Sequence, residues 1–63
     1  MTEFAVELNR RIAAARDALR AARAAADLDA ERVYAGELDS LLHIAAENEV
    51  DVPAEPDEGR AQG

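Results

Sequence analysis

The stretch Ala24-Ala25-Ala26-Asp27-Leu28-Asp29-Ala30-Glu31 decides the fold. Upstream of it, residues 3–26 contain no Gly or Pro and are rich in Ala, Arg, Leu and Glu, all strong helix formers. Downstream, residues 29–48 resume a helical pattern. Between them stand two Asp residues, Asp27 and Asp29, each of a type that starts helices by accepting backbone N–H bonds. A break this short leaves the second helix no direction but back along the first. The sequence therefore predicts an all-α fold, an antiparallel two-helix hairpin. Leu28 is placed to plug the turn end of that hairpin.

The first helix has a regular seam. Ala5, Leu8, Ile12, Ala15, Leu19, Ala22 and Ala26 follow alternating steps of three and four. Phe4 widens the seam at its start, and its later half is almost all Ala, so another helix can approach closely there. Thr2 is the natural N-cap, and Glu3 suits the positive end of the helix dipole. Glu7 with Arg11 and Asp17 with Arg20 are favourable pairs on one helix face.

The second helix is broader in its apolar character. At about 100° per residue, Val33, Ile44, Ala30, Leu41, Tyr34, Ala45, Leu38, Leu42, Ala35 and Ala46 sweep an arc of roughly 220°. Glu31 and Glu37 interrupt it. A helix covered by one neighbour needs a stripe a little over about 100° wide. Gly36 lies mid-helix, and Asn48 is a suitable stop. From Val50 onward, two Pro, two Gly and five charged residues predict a disordered acidic tail. Val50 and Val52 can still fold back onto the hairpin end. The expected organisation is a hairpin over residues 1–52 and a tail over 53–63.

Size and charge bound the function. The chain has 63 residues, of which 49% are hydrophobic. Sixteen residues are Ala, and the large apolar side chains are six Leu, four Val, two Ile, Phe4 and Tyr34. That is too little for a nucleotide-binding α/β domain or a barrel. Cys is absent, which excludes disulfides and thiolate metal sites. No apolar run approaches the roughly 18–20 residues of a membrane span. Charged residues break up the first dozen positions, so no secretory leader is read there and a cytoplasmic setting is expected. All seven basic residues are Arg, which together with the Ala content fits translation from a GC-rich bacterial genome.

The net charge is -7, and it is unevenly placed. Residues 1–26 hold five Arg against three acids, net +2, whereas residues 27–49 hold seven acids against Arg32, net -6. The two helices attract each other. The overall acidity disfavours nucleic acid as a direct ligand. The Arg16, Arg20 and Arg23 stripe, with Arg11 on the other flank, reads as a set of bridges to acids such as Glu31 or Glu37, or as a docking site for an acidic partner.

Few residues suggest chemistry. Asp39, His43 and Glu47, at i, i+4 and i+8, are the weak metal candidate; the ordinary reading is a solvated polar face. Ser40 stands where a Glu-x-x-His metal motif would need Glu. There is no triad or nucleophile elbow, and no cofactor or small-molecule substrate is expected.

A chain below about 70–80 residues needs disulfides, a metal or oligomerisation to complete its core. Association is the remaining route. The expectation is a non-enzymatic protein–protein interaction module, either a homodimer forming a four-helix bundle with residues 29–48 at its centre, or a hairpin docked on a larger protein. The expected interface is Leu8, Ile12, Leu19, Tyr34, Leu38, Leu41, Leu42 and Ala45. The alternative is an acidic inhibitor, antitoxin-like, that mimics nucleic acid and blocks a basic surface.

The run Phe4-Ala5-Val6-Glu7-Leu8-Asn9-Arg10-Arg11-Ile12, the Ala26-Asp27-Leu28-Asp29 turn and Gly36-Glu37-Leu38-Asp39-Ser40-Leu41-Leu42 resemble small helical-hairpin proteins of actinobacteria over residues 2–52. The resemblance implies the hairpin fold and no site residues. The turn region also resembles a single tetratricopeptide-type helix pair, without the diagnostic Trp and Pro positions of that repeat.

Overall fold

The computed structural model describes residues 2–54. Two helices, α1 (Glu3–Ala24) and α2 (Leu28–Glu47), form an antiparallel hairpin, with no strand among the described residues. The tail expected over 53–63 falls, from residue 55 onward, outside the described residues.

Each helix begins on the side chain anticipated for it. Thr2 Oγ1 accepts from the Ala5 N–H at 3.1 Å. Asp27 Oδ1 accepts from the Ala30 N–H at 3.1 Å. α2 thus starts one residue earlier than the sequence reading placed it, because Asp27 rather than Asp29 is the cap.

Both helices end alike. At the end of α1 the Ala26 N–H donates to Arg23 O and the Asp27 N–H to Ala22 O. At the end of α2 the Glu49 N–H donates to Ala46 O and the Val50 N–H to Ala45 O. This paired pattern is the Schellman motif, which satisfies carbonyls the helix end would orphan. It demands a left-handed residue, and Ala26 and Glu49 both supply it at φ 55°. α1 therefore stops at Ala24, two residues short of the seam's predicted end, and Ala26 leaves the seam for the turn. Asp27 closes one helix with its N–H and opens the next with its carboxylate, so the connection needs only three residues.

The rest of the α1 seam is buried as its spacing predicts: Ala5, Leu8, Ile12, Ala15, Leu19 and Ala22 all face inward. The core sits toward the open end of the hairpin. There Leu8, Ile12 and Ala45 form the buried centre, and Leu38, Leu41, Leu42, Val50 and Val52 pack around it. Toward the turn Leu19 and Ala22 are buried, and beyond Ala22 no residue of α1 is. Leu28 does not plug that end; it is 72% exposed. As the first residue after Asp27, it projects away from α1 rather than between the helices.

After α2 the chain turns back along α1. Val50 and Val52 point into the core while Asp51 and Pro53 offer carbonyls to α1. Asn9 Nδ2 donates to Asp51 O at 3.1 Å, and an Arg16 guanidinium N–H donates to Pro53 O at 2.7 Å. Residues 50–54 thus form a strap over one side of the hairpin.

Candidate functional site

α1 and α2 use their apolar faces very differently. Six residues of α1 are buried, whereas α2 buries Ala45 alone. The cause is the width of the apolar arc on α2. One neighbour covers the middle of it, where Ala45, Leu38 and Tyr34 sit, and the margins stay open. Val33 is 64% exposed and Ile44 37%. On α1, Phe4 adds to this open surface at 52% exposure instead of widening the buried seam.

The two sides of the hairpin are not equivalent. One carries the strap, with Asn9, Arg16 and Arg20 lining a shallow groove beside Pro53 and Ala54. The opposite side has a second groove, lined by Phe4, Glu7, Leu8, Arg11, Leu41 and Ile44. Glu37 and Val33 continue the line of Leu41 and Ile44 along α2, in successive steps of three or four residues. Nothing among the described residues covers this second side.

The residues predicted for an interface fall into two groups. Leu8, Ile12, Leu19 and Ala45 are buried inside the hairpin, while Tyr34, Leu38, Leu41 and Leu42 are half-buried at its margins. Sequence reading did not single out Phe4, Val33 and Ile44 for an interface. Phe4 counted as seam, and the arc of α2 alone does not tell which margin the strap would leave bare.

No protein-family model, curated protein or solved structure matches this chain.

The Arg stripe is largely engaged within the chain. Arg23 Nε meets Glu31 at 3.2 Å, joining the two helices near the turn. Arg16 is held by the strap carbonyl rather than by an acid. Arg20 pairs with Asp17 at 3.3 Å and Arg11 with Glu7 at 3.3 Å, both within α1 as their spacing predicts. Glu37 pairs with none of them, and among the described residues it has no ion-pair partner. Exposed pairs such as these contribute at most about 1 kcal/mol each.

Asp39, His43 and Glu47 lie on the outer face of α2. His43 Nε2 approaches Glu47 at 3.4 Å, with both side chains more than half exposed. Among the described residues no three His, Asp or Glu side chains gather in a way that could hold a metal ion. No helix there is long and apolar enough to cross a membrane.

Proposed function

We propose that this chain is a small, cytoplasmic, non-enzymatic protein–protein interaction module whose working surface is the uncovered side of the hairpin. The observation that carries the reading is the imbalance of α2: it buries Ala45 alone while Val33 and Ile44 lie open beside the half-buried Leu41. Fully burying one such side chain yields about 1.5–3 kcal/mol. For a chain of this size, that is a large share of what stability it can have. Phe4, on the same side, extends the surface onto α1. The strap supports the reading too, since it completes the other side from within the chain.

The test is an Ile44→Glu substitution read by sedimentation and circular dichroism. The expected result is a wild-type chain that sediments above 6.8 kDa and a variant that loses association and helical order together. A monomeric wild type that acquires order only with an added basic protein favours the acidic-mimic alternative. A wild type that is monomeric, fully ordered and indifferent to I44E contradicts both.

A further inference from the structure

The strap is held in two different ways along its length. Val50 belongs to the end of α2: its N–H donates to Ala45 O at 2.8 Å, and its side chain packs on the core cluster that contains Ala45. An apolar residue just past the left-handed one is the usual companion of the Schellman motif. Beyond Val50 the hold is lighter. Asp51, Pro53 and Ala54 are exposed, so Val52 is the one side chain that residues 51–54 place against the core. Two side chains of α1 fasten the backbone there, Asn9 at Asp51 O and Arg16 at Pro53 O, both at the surface.

Asn9 uses only half of its carboxamide on the strap. Nδ2 donates to it, but Oδ1 is shut off from water and has no hydrogen-bond partner among the described residues. Val50 and Val52 point inward and the carbonyls of residues 51 and 53 meet α1, which is the alternation of an extended chain. In such a chain the N–H groups on the edge of Asp51 O belong to residues 51 and 53. The Asp51 N–H leaves Oδ1 unbonded, and Pro53 has no N–H to give. The closed strap thus buries an acceptor that it cannot satisfy. Such an acceptor is costly, and water satisfies it once the strap lifts.

We propose that residues 51–54 are a latch that swings about Val50 while both helices stay folded, and that the unsatisfied Asn9 acceptor beneath it keeps the open and closed states close in free energy. Opening withdraws Val52 from the core and bares Asn9 and Ile12, which line the groove beside Pro53. The side that the chain covers for itself then becomes accessible in a minor fraction of molecules, opposite the side that is always open. The latch does not depend on the interaction reading above.

The test is relaxation dispersion of methyl and side-chain amide signals on the full chain, at two concentrations about tenfold apart. It detects microsecond-to-millisecond exchange with minor states populated at roughly 1–10%. The expected result is one exchange process shared by the Val52 methyls and the Asn9 carboxamide, the same at both concentrations and absent from the Leu19 methyls. Pro53→Ala supplies the missing N–H. It is expected to lower the open population at least about twofold more than the same change made in an Asn9→Ala chain, a comparison that cancels the lost stiffness of the proline. Flat profiles at Val52, or exchange shared with Leu19, overturn the proposal, because the strap then opens only with the hairpin. Exchange that varies with concentration reports association and overturns it as well. An equal effect of Pro53→Ala in both chains removes the Asn9 acceptor as the cause and overturns the latch as proposed.

Discussion

Two residues carry backbone conformations their side chains disfavour. Ala26 and Glu49 both sit at φ 55° where the Schellman geometry favours Gly. A left-handed residue with a Cβ costs roughly 1–2 kcal/mol, of which Gly returns part through its greater freedom when unfolded. Ala26→Gly is therefore expected to stabilise the hairpin by about 0.5–1 kcal/mol, seen as a higher thermal midpoint. Gly36 is the opposite case: a Cβ built there meets nothing within 4 Å. Gly36→Ala is expected to add about 1 kcal/mol through helix propensity alone, measured in the same melts. Thr2 and Asn48 were legible in the sequence because capping depends on local chemistry. The left-handed Ala26 was not, because nothing in an Ala-Ala-Ala run marks which Ala must turn.

At the scale of elements, the seam of α1 was the most readable feature. Its three-four spacing points one way only, and the structure buries it up to Ala22. Ile12 lies at its centre at 1% exposure. Ile12→Ala is expected to cost about 2–5 kcal/mol in denaturant unfolding, whereas Leu28→Ala is expected to stay within about 0.5 kcal/mol of wild type. A large loss at Leu28 would mean that this side chain is covered in solution. The strap was only half legible. The alternation of Val50 and Val52 marks an inward row, but the carbonyls that Asn9 and Arg16 recognise belong to the backbone and leave no trace in side-chain pattern. Removing residues 55–63 is expected to leave helicity and midpoint unchanged. Removing 50–63 is expected to cost about 2 kcal/mol or more, from the loss of two packed Val side chains, and circular dichroism melts of the two truncations check both.

For the whole molecule, the helical hairpin was legible because each local signal agrees with the next: caps, seam, short turn and opposed helix charges. The candidate surface was less so. An arc of about 220° on α2 says that one neighbour is not enough, yet only the path of residues 50–54 shows which margin is left for a partner. The same imbalance ties folding to association. If α2 needs a second chain to cover Val33, Leu41 and Ile44, the hairpin's stability must depend on its concentration.

That dependence is the most direct measurement of the account: thermal unfolding followed by circular dichroism over a hundredfold or greater dilution, with the mass taken at each end. The expected result is a midpoint that falls steadily as the chain is diluted, as dimer gives way to a poorly ordered monomer. A single cooperative transition at one unchanging midpoint, from a 6.8 kDa species throughout, would contradict it.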